Sequence, residues 1–279
     1  MQLPEDIQRL KRDAAARPGD PVIWARLSIA LHALDYANAE GVLLEQTSRD
    51  ETTMTPAEAL SHTEELVRNC LSFGLLAPAT DAAELLHTAL GTEQTAILLS
   101  EVTLRRNQVG DIARARALLE ATVARRPDAR EARIRAAALA LGTGDLDAAR
   151  LWIEPVAADG AITRALYAQV LLASGDVEAA AHEALLGLEG EPESVDLHLL
   201  RGVAELAQAH NEEAIESFSE ALRLAPERPE AYYNLGLAFV ATGSRAAALG
   251  VVEAGLELAP DDERLLSLMA RLKTTLSNA

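Results

Sequence analysis

The chain contains one cysteine, two lysines and only 3% aromatic residues in a length of 279 residues. With Cys70 alone, no internal disulfide can form, and its helical surroundings indicate a small core residue rather than a nucleophile. No uninterrupted apolar run reaches the ~18 residues that a membrane-spanning helix needs. The N-terminus shows no basic segment followed by an apolar one, as a signal peptide would. We therefore expect a cytoplasmic protein without membrane insertion.

Negative charge is in excess, with a formal net charge of -18. Phosphate backbones and anionic lipids repel such a chain, so nucleic acid is a poor partner. The basic residues are nearly all arginine, which together with the abundant alanine is typical of a GC-rich bacterial genome. Six arginines form a possible basic docking patch for an acidic partner: Arg105, Arg106, Arg114, Arg116, Arg125 and Arg126. The alternative is solvated helix faces with local ion pairs.

The residues that carry most protein chemistry do not form a catalytic or metal-binding pattern. No two of the six histidines have the i,i+3 or i,i+4 spacing of a helical zinc site. No nucleophile elbow, phosphate loop or dinucleotide fingerprint is present. Residues 142–145 resemble a Gly-rich loop but lack the Lys-Ser or Lys-Thr that would follow. We expect a non-enzymatic protein with no metal and no cofactor.

Prolines and glycines recur along the chain with a regular spacing. Pro192, Pro226 and Pro260 stand 34 residues apart, each after an amphipathic stretch, and proline stops a helix because it lacks an N–H. A glycine followed by Asp or Ser marks the middle of several units, at Gly110, Gly144, Gly175 and Gly243. Glycine accepts the left-handed geometry that ends a helix, and Asp or Ser can cap the next one. Each unit is predicted to be a helix, a tight turn, a helix and a proline-containing link.

The segment 229–262 resembles the tetratricopeptide repeat. Its matching residues, in the order of the family pattern, are Tyr232, Leu235, Gly236, Phe239, Ala248, Val252 and Pro260. The segment 195–228 matches through Gly202, Ala214, Phe218, Ala221 and Pro226. The resemblance implies an all-α fold, a right-handed α-solenoid of tetratricopeptide-type helical hairpins with a C-terminal capping helix. We expect the small residues Gly202, Gly236, Ala214 and Ala248 where two helix axes approach to ~8–10 Å.

The same pattern divides the chain into regions. Five repeats are predicted at 96–129, 130–160, 161–194, 195–228 and 229–262, and a capping helix at 263–279. Pro155 should shorten the second helix of the second of these repeats. The capping helix should bury Leu265, Leu266, Met269 and Leu272. Residues 1–95 are expected to hold degenerate repeats or, alternatively, an independent helical cap, with helices at 7–16, 56–76 and 80–90, N-cap candidates Thr55 and Thr80, and a repeat opening at 21–28.

In tetratricopeptide proteins the first helices of the stacked units line a concave groove. The resemblance therefore implies a partner-binding groove formed by Arg135, Leu166, Gln169, Leu199, Leu200, Val203, Leu206, Tyr233, Asn234, Leu237 and Val240. This surface is mostly apolar, so we expect an apolar partner segment, either an amphipathic helix or the protein's own termini. Capture of a C-terminal carboxylate, another use of the fold, needs lysines that the groove lacks. Alternatively, the leucines are buried between helices and the groove is shallow.

Three functions follow from this reading. The first is a scaffold or adaptor that binds a partner peptide or helix without catalysing a reaction. The second is the substrate-binding or regulatory part of a larger enzyme complex such as an ATPase, transferase or kinase. The third is a homo-oligomer assembled through the groove. The fold by itself does not choose among them, because one fold hosts many tasks.

Overall fold

A computed structural model describes residues 5–16, 30, 64, 67–68, 70–71 and 76–274. Over these residues the chain is α-helical apart from turns, links and one 3-10 helix, with no strand. The predicted all-α fold class is therefore confirmed. The repeat opening predicted at 21–28, the N-cap candidate Thr55 and most of the helix predicted at 56–76 lie outside the described residues.

The described residues hold thirteen α-helices in two compact units, residues 1–139 and 140–279. In chain order the helices are α1 (Glu5–Ala16), α2 (Leu76–Leu90), α3 (Glu93–Arg106), α4 (Asp111–Arg125), α5 (Arg130–Gly142), α6 (Leu146–Ile153), α7 (Ala161–Ala173), α8 (Val177–Gly190), α9 (Val195–Ala207), α10 (Asn211–Leu224), α11 (Pro229–Ala241), α12 (Arg245–Leu258) and α13 (Glu263–Thr274). The boundary between the units falls within α5.

In the first unit, α1 contacts α2, α2 contacts α3, and α3 contacts α4. Cys70 is buried in the core between α2 and α3, as its sequence context predicts. The prediction of Thr80 as an N-cap is wrong, because α2 already begins at Leu76. The Thr80 hydroxyl instead donates to the Leu76 carbonyl oxygen at 2.7 Å, inside the helix.

In the second unit, the helices from α7 to α13 stack in chain order. Each contacts the next, and the first helices of successive hairpins, α7, α9, α11 and α13, also contact one another in sequence. The shortening predicted at Pro155 is observed, because α6 ends at Ile153 and a 3-10 helix over Glu154–Asp159 follows. Large apolar side chains at successive interfaces, such as Leu197, Phe218 and Val252, are fully buried.

Four helix-helix turns share one hydrogen-bond geometry. The backbone N–H groups of Asp145, Asp176, His210 and Ser244 each donate to the carbonyl five residues earlier, at 2.8–2.9 Å. The residue before each donor is left-handed, with φ between 61° and 81°. That residue is Gly144, Gly175, Ala209 and Gly243 in turn. Ala209 is the one residue of the four that has a Cβ atom. For such a residue the left-handed conformation costs ~1–2 kcal/mol relative to the right-handed one.

The proline-containing links are closed by a side chain that reaches back to a proline carbonyl. Arg133 Nε and Nη2 donate to the Pro127 oxygen at 3.2 and 3.1 Å. His198 Nε2 lies 2.9 Å from the Pro192 oxygen, and the Tyr232 hydroxyl donates to the Pro226 oxygen at 2.9 Å. The donor is six residues beyond the proline each time. Three unrelated residue types therefore perform one structural task.

The close helix approach predicted at Gly202 and Gly236 is confirmed. A Cβ added to Gly202 would lie 2.6 Å from Phe218 Cε1, and one added to Gly236 would lie 2.8 Å from Val252 Cγ2. Ala214 is fully buried in the same layer. A side chain at either glycine would force the buried neighbour to shift, because the core is packed to van der Waals contact.

One hairpin places a polar network where the next has apolar residues. Arg201 and Glu205 precede Leu235 and Phe239 by 34 residues. Glu205 is only 6% exposed, and it accepts hydrogen bonds from Arg201 Nε at 2.7 Å and from the Ser217 hydroxyl at 2.7 Å. The carboxylate is therefore satisfied, which removes most of the cost of its burial.

An aspartate immediately precedes the capping helix α13. Asp262 Oδ1 accepts from the backbone N–H groups of Arg264 at 2.9 Å and Leu265 at 3.2 Å. The buried face consists of Leu265, Leu268, Met269 and Leu272. The prediction that Leu266 belongs to this face is wrong, since Leu266 is 46% exposed. Leu268 takes its place because it lies one turn from Leu265 and one turn from Leu272.

We expect Gly202→Ala to lower the free energy of unfolding by ~1–3 kcal/mol, because the new methyl group overlaps the buried Phe218 ring. The matched control is Gly250→Ala on α12, where a Cβ meets nothing within 4 Å. That change should raise the free energy of unfolding by ~0.5–1 kcal/mol, because alanine is the better helix former. Urea unfolding followed by circular dichroism measures both. Equal effects of the two substitutions would contradict close packing at Gly202.

We expect Ala209→Gly to raise the free energy of unfolding by about 0.5–1 kcal/mol. The gain from relieving the left-handed alanine outweighs the extra chain entropy that glycine has in the unfolded state. Gly243→Ala, at the corresponding turn one hairpin later, should have the opposite sign. Thermal and urea unfolding check the pair, and a loss of stability in Ala209→Gly would count against strain at this turn.

Candidate protein-binding surface

Three first helices of the second unit carry equivalent residues at 34-residue intervals. On each helix the residues have i,i+4,i+7 spacing, so they share one face. We call these nine residues the strip: Ala165, Gln169 and Leu172 on α7, Leu199, Val203 and Leu206 on α9, and Tyr233, Leu237 and Val240 on α11. Because α7, α9 and α11 contact in sequence, the strip crosses three neighbouring hairpins.

The strip is open to different degrees along its length. Val203 and Val240 are both 36% exposed, whereas Tyr233 and Leu237 are half-buried against the core beneath α13. Leu199 is a correction to the predicted groove. It is only 6% exposed, in a core cluster with Phe218, so within the strip it belongs to the buried base and leaves Val203 and Leu206 as the accessible residues of α9. The surface is shallower at α9 than helix phase alone predicts.

Three other predicted groove residues lie one position beyond the strip. Leu166, Leu200 and Asn234 follow the first strip residue of their helices, and one residue turns a helix by about 100°. All three are half-buried. Leu200 packs against the buried cluster that contains Leu188 and Leu197. These three positions therefore lie to one side of the strip on their helices.

The edge of the strip contains residues that the sequence reading missed. Four of these residues stand 34 residues apart: Ile162, Asp196, Glu230 and Arg264. The first three lie three positions before the first strip residue of α7, α9 and α11, and Arg264 holds the same position on α13. Ile162 is 75% exposed, which makes it the most exposed large apolar side chain of the second unit's described residues. The signal in the sequence is the 34-residue phase itself, because Ile162 precedes Ala165 by three positions, as Asp196 precedes Leu199.

The charged part of this edge is held by ion pairs. Arg228 Nη1 lies 2.8 Å from Asp196 Oδ1, and Arg228 Nη2 lies 2.5 Å from Glu230 Oε1. The Arg264 guanidinium lies 5.6 Å from the centre of the Tyr233 ring, within the range of a cation–π contact. Arg264 is also paired, with Nη2 2.9 Å from Asp262 Oδ2. The edge therefore changes from an apolar residue at α7 to ion-paired residues at α9, α11 and α13.

The six predicted patch arginines are spread over α3, α4 and the following link in the first unit. Four contact a carboxylate in these pairs: Arg105 with Glu101 at 3.2 Å, Arg106 with Asp111 at 2.5 Å, Arg114 with Glu84 at 2.8 Å and Arg116 with Glu120 at 2.8 Å. Arg125 and Arg126 are exposed. This arrangement favours local ion pairs over one continuous patch. The predicted groove residue Arg135 lies in the same unit, with Arg105 at the edge of one cavity.

At the start of α4, the buried Asp111 pairs with the half-buried Arg106. Arg106 donates to both carboxylate oxygens, and the backbone N–H of Gln108 donates to Asp111 Oδ2 at 2.8 Å. The hydrogen bond from Arg106, followed by that from Gln108, outweighs desolvation and lowers the Asp111 pKa to about 2. Negative charge in the first turn of a helix is also favourable.

Among the described residues, no group of three or more His, Cys, Asp or Glu side chains is placed to hold a metal ion. No described helix has the length and apolarity to cross a membrane.

Comparisons with known proteins agree with this geometry. Models described as tetratricopeptide repeat match residues 108–161 and 229–262, and a TPR repeat model matches residues 204–243. No curated protein sequence matches the chain.

Three solved structures share the arrangement of helices. TTC0263, a thermophilic TPR protein of Thermus thermophilus, is 22% identical, with 66% of this chain and 99% of that chain covered and a TM-score of 0.51. YrrB, described as a TPR protein with an unusual peptide-binding site, is 16% identical over 62% of this chain and 89% of that chain, with a TM-score of 0.51. The Cut9–Hcn1 hetero-tetramer of the APC/C is 12% identical over 94% of this chain and 51% of that chain, with a TM-score of 0.63. At these identities the similarity concerns the fold alone.

We expect Asp111→Asn to destabilise the protein at neutral pH, because Arg106 loses its buried carboxylate partner. The folded-state pKa of about 2 lies below the usual 3.8, so the ionised carboxylate stabilises the fold above about pH 4 and this contribution disappears as the pH falls toward 2. The difference in urea midpoint between variant and wild type should shrink over that range. Asp128→Asn, in an exposed link, is the control, and a pH-independent difference would contradict the pairing.

Proposed function

The chain is a tetratricopeptide-repeat protein, and from this premise we propose that it is a non-enzymatic scaffold or adaptor. Its second unit binds one segment of a partner protein along the strip. The partner segment presents apolar side chains at the strip, as an amphipathic helix or an extended peptide does.

One observation carries this proposal. None of the nine strip residues is charged, although the whole chain carries a net charge of -18. The two exposed valines, Val203 and Val240, lie on different helices at different positions of the 34-residue phase, and Ile162 adds a third exposed apolar side chain at the edge. The absence of charge from equivalent positions on three successive helices, in a chain this rich in charge, supports a bound segment at this face.

The class of ligand is supported by the geometry and by a similar fold. The strip crosses neighbouring first helices, so a segment of several residues contacts more than one hairpin at once. YrrB is described as having a peptide-binding site, which supports a peptide as ligand here. The edge is apolar at Ile162, whereas Arg264 at α13 is already paired with Asp262. The more apolar end of the segment would therefore lie toward α7.

A pair of matched double variants tests the proposal. Val203→Glu with Val240→Glu adds two charges to the strip, and Leu185→Glu with Leu258→Glu adds the same charges at the two leucines of α8 and α12 that are each 45% exposed. A partner first identified by photo-crosslinking from position 203 is then titrated against each variant by calorimetry. We expect at least a tenfold loss of affinity, about 1.4 kcal/mol, for the strip variant alone.

The controls separate binding from folding. All four changed side chains are substantially exposed, so both variants should keep the helical circular dichroism of the wild type. If the strip variant folds and binds as tightly as the α8 and α12 variant, the strip is not the binding surface. A partner that is a second copy of the chain would appear as concentration-dependent mass in light scattering.

A further inference from the structure

The first unit contains a cavity of about 350 Å³ at the meeting of α3, α4 and α5. Its apolar wall includes Ile97 and Leu104 of α3, Leu119 of α4 and Leu139 of α5. Leu119 is 1% exposed and forms the floor, while Ile97 and Leu104 are half-buried at the sides. A cavity of this size accommodates one or two large apolar side chains, since it lies within the range of small-ligand pockets.

Two arginines from different helices stand at the rim. Arg105 ends α3 and Arg135 lies in α5, and their side chains are 53% and 51% exposed. Each is held by a glutamate one turn earlier, with Arg105 Nη2 3.2 Å from Glu101 Oε1 and Arg135 Nε 2.9 Å from Glu131 Oε1. A guanidinium has five N–H donors, so one carboxylate leaves each arginine able to bind a second acceptor.

We propose that this cavity is a second docking site, separate from the strip, for an acidic and apolar segment of a partner protein. An apolar side chain of the partner enters the cavity, and an adjacent Asp or Glu carboxylate binds between Arg105 and Arg135. Charge-assisted bonds from guanidinium groups to a carboxylate are strong and directional. A doubly charged phosphate is a poorer fit, because Glu101 lies at the same rim and would repel it more strongly.

The charge around the cavity favours this occupant despite the overall acidity of the chain. Residues 96–135, which contain most of α3, all of α4 and the start of α5, have nine arginines and five acidic residues. At physiological ionic strength charges interact over about 8 Å. A carboxylate at the rim would therefore interact with Arg105 and Arg135, with their partners Glu101 and Glu131, and with the arginine excess of this segment. Carboxylates that lie more than about 8 Å from the rim are screened.

The test uses the full chain and two fluorescein-labelled peptides with blocked termini. One peptide, Gly-Leu-Glu-Leu-Glu-Gly, offers leucines beside carboxylates, and the other, Gly-Leu-Lys-Leu-Lys-Gly, replaces the carboxylates with amines. Blocking the termini removes a terminal carboxylate as the source of binding. By fluorescence anisotropy we expect the acidic peptide to bind at least tenfold more tightly than the basic one.

Two double variants distinguish a site from general charge attraction. Arg105→Gln with Arg135→Gln should weaken binding of the acidic peptide at least tenfold. Arg125→Gln with Arg126→Gln removes the same charge from exposed positions that do not line the cavity, and should change affinity less than twofold. Equal weakening by both doubles would show attraction by net charge alone and would overturn the site.

A third variant probes the cavity without a change of charge. Ala138 is exposed and lines the cavity, so Ala138→Trp should fill it while the protein remains folded. We expect this variant to lose at least tenfold in affinity for the acidic peptide and to keep the wild-type circular dichroism. Undiminished binding, or no binding of the acidic peptide to the wild type, would refute the proposed site. None of these results depends on the strip of the second unit.

Discussion

Between the paired helices of the last two hairpins, a glycine faces a large buried side chain. Gly202 of α9 faces Phe218 of α10, and Gly236 of α11 faces Val252 of α12 and Leu268 of α13. These contacts set how near the helices can come, and the rest of the second unit follows from that spacing. The first helices of these two hairpins lie in the same order because both hairpins repeat this close approach. The strip exists because equivalent residues on those helices face the same way.

The sequence predicts this part of the fold well because its signals are local. Proline after a helix, glycine in a turn and small residues between helices act within one hairpin, so their 34-residue spacing is readable without knowledge of distant contacts. Pro155 is a clear example, since its effect on α6 depends only on its own backbone. The proline-carbonyl hydrogen bonds are harder to read. Arg133, His198 and Tyr232 share only one property, which is that each side chain can reach back to the proline carbonyl oxygen and donate a hydrogen bond to it.

The sequence predicts the candidate surfaces less well, because several positions depend on packing between helices. Leu265, Leu266, Leu268, Met269 and Leu272 are all apolar, so helix phase could not decide whether Leu266 or Leu268 faces the core. Leu199 lies on the same face of α9 as the exposed Val203, one turn away, yet residues of the neighbouring hairpin cover it. Arg105 and Arg135 could be named separately from the sequence, but only the packing of α3 and α5 brings both to one cavity.

The contacts of the second unit run between adjacent helices and between successive first helices. Stability in such an arrangement is close to a sum of each hairpin's own stability and its interfaces with its neighbours. Hairpins far apart in the stack therefore do not directly affect one another's stability. A ligand lying along α7, α9 and α11 would bridge hairpins that the chain itself connects only in steps. Occupation of this surface would thus make the unit melt more cooperatively, with the bound segment acting as a splint.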